Sequence, residues 1–275
     1  MNRRRKRPAR LPRKPPKRKK RAAWRRGLPV LARRLVALAA LLGAWEVLAR
    51  VGVLDPFYMP PPSNVVGVLA SLFLDGSIWP HLQATFAAAL AGLAIGLAAG
   101  IVAGFVAALV PWIAELLEPV MILLNAIPRV ILAPLFVIWF GIGLGSKVAL
   151  SFLLVFVLTF FAVYAGIKEV DGRLIERVRT LGGGRWTVLR EVYLPSVTSW
   201  VTGNLRVAVG FAFTGAVVGE FVASSRGLGY LLAFAQTQFN AALTLALIVT
   251  IMAFVLTLFV LTGALERRLL HWRYR

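Results

Sequence analysis

Residues 176–195 read ERVRTLGGGRWTVLREVYLP, and this stretch decides how the chain is organised. It is polar and basic, holds three consecutive glycines, ends on a proline, and lies between two long apolar runs. Upstream, Asp171 can cap a helix running through Thr180, and Gly182 can end that helix in a left-handed turn. Gly183 and Gly184 keep the break permissive, and a second short helix is expected to start near Arg185. Pro195 should then stop the hydrogen-bond ladder, or sit in the first turn of the next span. A chain that only had to reverse direction would need a few residues here. About thirty residues between two spans suggest a docking element, because long connections inside compact domains usually carry function.

The 275-residue chain is 59% hydrophobic, and such a composition must place much of its surface against lipid. It has no cysteine, which excludes disulfides and cysteine-held metals. Its two histidines, His81 and His271, stand at the ends of apolar spans, so a histidine metal site is not expected. No GxxxxGK[ST] phosphate loop occurs, and the chain shows no means of hydrolysing ATP itself.

Six apolar spans can be drawn, at 29–50, 82–110, 119–140, 147–167, 196–222 and 240–265, each about the length a helix needs to cross the hydrocarbon. Pro128, Arg129 and Pro134 interrupt the third, and a broken helix at membrane depth needs neighbours or a cavity to satisfy its freed backbone groups. The net charge of +21 comes mostly from one tail: residues 1–34 hold 17 Lys/Arg and no acid. Proline-rich and poor in apolar residues, segment 1–28 is expected to be a disordered cytoplasmic tail, and 29–275 the transmembrane domain. The tail is too basic for a signal peptide; it can fix topology and lie on anionic lipid, and nucleic acid is not expected as its partner. With this tail inside, the 167–195 loop brings six basic residues to the same side and the C-terminus four, leaving Arg50, Lys147 and Arg226 outside. That distribution obeys the positive-inside rule for six spans with both termini cytoplasmic.

Pro60, Pro61 and Pro62 give the outer 51–80 loop an extended entry, and Ser63 or Asn64 can cap a short amphipathic helix over 65–74. In the second span Gly92, Gly96, Gly100 and Gly104 share one helical face, a pattern that permits close helix contact within one subunit or between two.

The spacing of Glu176, Gly182, Val192, Leu194 and Pro195 resembles the E-A-A-x3-G-x9-I-x-L-P loop of permease subunits of binding-protein-dependent ABC importers, with Arg177 and Val178 in place of the two alanines. The segments IPRVILAPLFVIWFGIGLGSK (127–147), VYAGIKEVD (163–171) and GEFVASSRGLGYLL (219–232) look like the nitrate/sulfonate/taurine branch of that family, and the resemblance covers roughly residues 60–273. It implies an all-α membrane protein of the type I ABC importer permease fold, with about six transmembrane helices, in a bacterial or archaeal plasma (inner) membrane. It also implies a non-enzymatic subunit: no cofactor on this chain, and ATP and Mg on two partner ATPase subunits. An extracytoplasmic solute-binding protein and a second copy of the chain complete the implied assembly. Glu176, Gly182, Gly183, Gly184, Val192, Leu194 and Pro195 would then belong to an ATPase-coupling loop within 168–195. The implied solute is small and anionic (nitrate, a sulfonate or taurine), with a vitamin precursor as the alternative.

Ionisable groups inside spans are functional candidates, because burying a charge costs several kcal/mol unless it is paired or wet. Arg129 could line the path of an anion or bond carbonyls freed at the break, and Asn125, one turn earlier, could share either task. Arg206 and Asn204 can snorkel to the cytoplasmic headgroups. Glu220, a further candidate for the translocation path, could pair with Arg226 at the outer face, help an outer gate or contact the binding protein, and Glu46 is expected to find a partner within the bundle. Trp139, Phe140, Trp186, Trp200 and Trp272 are expected at the membrane interfaces. A stand-alone transporter would leave the 176–195 pattern unexplained. A membrane enzyme would want clustered acids, whereas Glu169, Asp171, Glu176 and Glu191 alternate with arginines as on a solvated docking face.

Overall fold

The computed structural model describes residues 30–269; the basic tail 1–28, His271 and Trp272 lie outside them. The described residues form α1 (Val30–Arg50), α2 (Pro62–Leu74), α3 (Trp79–Leu109), α4 (Pro111–Ala126), a 3₁₀ turn (Arg129–Leu132), α5 (Ala133–Phe140), α6 (Leu144–Lys168), α7 (Gly172–Thr180), α8 (Arg185–Val188), a π turn (Leu189–Tyr193), α9 (Leu194–Val222), α10 (Leu228–Thr237) and α11 (Ala241–Leu269), with no strand among them. By contacts the chain divides into two units, the first ending at Trp45 and the second, Glu46 onward, containing the helical bundle.

Four helices are long and apolar enough to cross a membrane: α3, α6, α11, and a single 38-residue helix, Arg185–Val222, that joins α8 and α9. α4 and 129–140 pass the same test only together, bent by 97° at the break, as a broken span or a re-entrant loop. The sequence places that break correctly but starts the span too late, because α4 already begins at Pro111. α1 has the length of a sixth span, about 31 Å at 1.5 Å per residue. Its charges, Arg33, Arg34, Glu46 and Arg50, stand toward its two ends, where they can reach headgroups.

The bundle is built on α6. α3 runs parallel to it in constant register: Gly92 faces Ser151, Gly96 Val155, Gly100 Thr159 and Gly104 the Phe160–Val163 turn. A methyl group on Gly96 would lie 2.8 Å from Val155 Cβ, and one on Gly100 would lie 2.6 Å from Thr159 Cβ. The facing residues also recur every four positions, so two i,i+4 ridges interlock. The glycine face is therefore used within the chain. α9 packs antiparallel on α6 beside α3, pairing Lys147 with Gly219, Ser151 with Gly215, and Gly166 with Trp200. Ser151 sits where the three helices meet, and its hydroxyl donates to the Ala212 carbonyl at 2.8 Å. Trp200 thus packs against α6, where the sequence expects an interfacial position. Val155, Ala208, Ala212, Phe213 and Leu228 form the main core with Ile78 and Leu82.

The outer connection differs from expectation. Neither Ser63 nor Asn64 caps α2, which begins one turn earlier, on Pro62. Proline suits that position because its missing N–H would have had no helical partner there. Ser63 instead binds Glu46, through its N–H at 3.0 Å and its hydroxyl at 2.8 Å. Arg50 Nε completes the set at 2.6 Å from Glu46, so Glu46 finds its partners at the end of α1 and the start of α2. At the far end of α2 the Ser77 N–H donates to Asp75 at 2.9 Å. That bond holds the Asp75 carboxyl below its ordinary pKa.

Candidate functional site

Among the described residues, polar chemistry worth following gathers at the α7–α8 hairpin, at the bend between α4 and α5, and where Thr85, Lys147 and Glu220 bring the ends of α3, α6 and α9 together.

The hairpin begins as the sequence expects. Asp171 caps α7, accepting the Arg173 N–H at 2.9 Å. Gly182 has φ +84°, a left-handed conformation, with open space around it. Gly183 is held by sterics: a methyl there would lie 2.5 Å from Val178 Cγ1, and its N–H closes the turn on the Val178 carbonyl at 2.9 Å. Gly184 meets neither constraint. Of the two expectations for Pro195 the second holds: it does not stop the ladder but sits in the first turn of α9. α8 runs on through the π turn, where the Leu194 N–H reaches back to the Leu189 carbonyl, and α9 continues with Pro195 in its first turn. Proline offers no N–H and crowds the carbonyl four residues back; a wider π turn just before it lets the helix pass without breaking.

The hairpin has two faces. Val188 and Val192 are buried, and Tyr193 packs with Val163, Ile167 and Val197, which ties the second half to the bundle. On the other face Leu181 is 81% exposed and Trp186 73% exposed, among Arg173, Arg177, Arg179 and Arg185. Glu176 is exposed on α7, and Leu194 is half exposed at the start of α9. Exposed large apolar side chains among arginines are the kind of surface that can take a protein partner.

At the bend, Arg129 Nη2 donates to Asn125 Oδ1 at 2.8 Å. The guanidinium stands over the Phe211 ring of α9, 5.6 Å from its centroid. Nη1 is buried and has no acceptor among the described residues. The structure thus joins Asn125 and Arg129 as the sequence suggests, and adds Phe211, which no local signal marked. Asn204 bonds the Trp200 carbonyl one turn back at 2.9 Å.

At the outer end Glu220 does not pair with Arg226. It is 2% exposed and turned toward α3, accepting the Thr85 hydroxyl at 2.8 Å and the Gly229 N–H at 3.0 Å. Thr85 in turn accepts the Leu228 N–H at 2.9 Å, and the Gly227 N–H meets His81 Nδ1 at 3.1 Å. The backbones of Gly227 and Gly229 pack so closely on Glu220 that neither position has room for a side chain. The carboxylate therefore staples the 223–229 loop to α3 and α9, which a partner in its own loop could not do. Sequence reasoning missed Thr85, and it missed that Lys147 is buried. A lysine in the first turn of an apolar helix was the available signal.

The described residues contain no cluster of acids and histidines able to hold a metal. Helices long and apolar enough to cross a membrane, gathered about a polar bend and joined by a charged hairpin, define a multi-pass membrane protein.

The chain belongs to the binding-protein-dependent transport system inner membrane components, the permease subunits of ABC importers; the family's model matches residues 96–271. The chain is 40% identical to the riboflavin transport system permease protein RibX of Chloroflexus aurantiacus, over 90% of each chain. It is 32% identical to the taurine transport system permease protein TauC of Escherichia coli, over 86% of this chain and 87% of that one. Its fold matches a chain of the MetNI methionine ABC transporter in inward-facing conformations, with a TM-score of 0.56 and 20% identity, covering 70% of this chain and 94% of that one. The protein is therefore a multi-pass component of the plasma membrane with the type I importer permease fold.

Proposed function

We propose that this permease carries a small anionic solute inward past Arg129, driven by a separate ATPase that docks on the 171–195 hairpin. The observation that carries the anionic part is the buried Arg129 Nη1, a charged donor without an acceptor beside a bend in the bundle. An unpaired buried donor costs about 1–3 kcal/mol, and a passing anion would offset that cost while it is bound. The hairpin carries the coupling part. Leu181 and Trp186 form an apolar tip, and Val188 and Val192 fix it rigidly to α9. A push on the tip would be transmitted along the unbroken helix Arg185–Val222 into the bundle. Two copies of the chain, two ATPase subunits holding ATP and Mg, and an extracytoplasmic binding protein make up the working assembly. Closure of the ATPases would draw the two hairpins together and rock the bundle from inward- to outward-facing.

A second reading keeps the permease role but makes the solute a vitamin or its precursor. The 40% identity to a riboflavin permease favours it. ATP-driven uptake by the reconstituted assembly, with taurine and riboflavin as alternative probes, separates the two. Arg129→Ala should impair taurine uptake if the path selects anions. Riboflavin uptake that Arg129→Ala leaves untouched, with no taurine uptake at all, would favour the second reading.

A further inference from the structure

A small pocket of roughly 190 Å³ opens between the outer ends of α3, α6 and α9. Gly143, Lys147, Glu220, Ser224, Ser225 and Arg226 are among the residues that line it. That volume holds about six waters, enough for a carboxylate or sulfonate with a short tail.

Lys147 is the unusual wall. It is 3% exposed, and an ammonium has three protons to donate. Among the described residues its hydrogen-bond acceptor is the carbonyl of Ile142. Glu220 lines the same pocket, but its carboxylate is engaged by Thr85 and Gly229. Lys147 also stands in the first turn of α6, where no side chain caps the helix and the dipole opposes a cation. Arg226 adds a second positive charge at the lip, and Ser225 an exposed hydroxyl. The lip is fixed, because Glu220, Thr85 and His81 staple the loop behind it. A buried ammonium short of acceptors, an uncapped helix start and a second cation converge on one small cavity. Against these two cations the lining sets one carboxylate, Glu220, so the pocket keeps an excess of positive charge.

We infer that this pocket binds the acidic group, carboxylate or sulfonate, of a small molecule at the outer mouth of the permease. Lys147 is the primary contact, and Arg226 closes over the ligand. The site rests on the permease role but not on the anionic path at Arg129, some distance along the bundle.

The test uses the full-length chain in lipid nanodiscs, without ATPase or uptake, so a failure of coupling cannot affect it. Thermal unfolding is followed in sodium methanesulfonate and in sodium chloride at equal ionic strength. Methanesulfonate should raise Tm by about 2–4 °C over chloride. Measured in the Arg129→Ala background, which removes the anion contact proposed at the bend, the rise should vanish in Lys147→Met and shrink in Arg226→Gln. If Lys147→Met does not fold, the exposed Arg226→Gln still decides the matter. No rise in the Arg129→Ala chain would overturn the inference, as would a rise there that survives Arg226→Gln unchanged. A glutamate-rich peptide that stabilises the chain when methanesulfonate does not would also overturn it, assigning the pocket to an acidic side chain of a protein partner.

Discussion

The seam between α3 and α6 and the hairpin between α6 and α9 are both written in glycine, for opposite reasons. Along the seam, Gly92, Gly96, Gly100 and Gly104 have ordinary helical backbones and no space for a side chain. In the hairpin, Gly182 has all the space a side chain would need and a backbone that only glycine adopts easily. The seam is complete within the chain, its small residues filled by the facing ridge of Ser151, Val155, Thr159 and Val163. The hairpin is finished on one face only and presents Leu181 and Trp186 outward. Glycines spaced by four therefore mark a contact already made, and consecutive glycines mark a turn that presents one still to be made.

Substitutions should separate the two roles. The largest effect is expected in the seam: Gly96→Leu forces a large side chain against the α6 backbone. Overpacking of this kind costs about 1–3 kcal/mol or more, so Tm of the purified chain should fall steeply or folded protein should be lost. Full stability in Gly96→Leu would show that α3 and α6 do not touch there. In the hairpin, Gly182→Val places a β-branched residue at φ +84°. That costs roughly 1–2 kcal/mol locally, so the chain should still insert and fold while ATP-driven uptake is lost; normal uptake would count against the coupling role. A smaller and more selective effect is expected at the bend. Arg129→Ala should lower uptake of an anionic solute by about tenfold, equivalent to 1.4 kcal/mol, with assembly intact, and wild-type kinetics would leave Arg129 a structural residue. The smallest effect should follow deletion of residues 2–20, which is expected to spare transport. Loss of all activity would show that the basic tail does more than set topology.

Much of this comparison can be read from sequence where the determinants are local. The Asp171 cap, the left-handed Gly182 and the break at Pro128 depend on a few neighbouring residues, and the structure places each where it is expected. Hydropathy likewise locates the long apolar helices, because it acts on each segment separately. What escaped depends on residues distant in the chain. Gly92-x3-Gly96 announces a close contact but cannot name Ser151 and Val155 as its partners. Glu220 has Arg226 nearby in sequence, yet it turns to Thr85, which the fold brings to it across the bundle. Pro195 reads either as a stop or as a first-turn proline, and the π turn just before it, which no local signal marks, makes it the latter and runs the hairpin into α9. Lys147 counts as one more outer charge until the packing of α9 over Gly219 buries it.

The central claim is that the outward face of the hairpin is the docking surface for a separate ATPase. A photo-crosslinking amino acid at position 186, introduced in the native host and activated in intact membranes, tests it most directly. The account predicts one major crosslinked product, whose peptides identify an ABC ATPase, and its loss in Gly182→Val. A correctly folded chain that crosslinks at position 186 only to lipid, in membranes that carry out ATP-driven uptake, would contradict it.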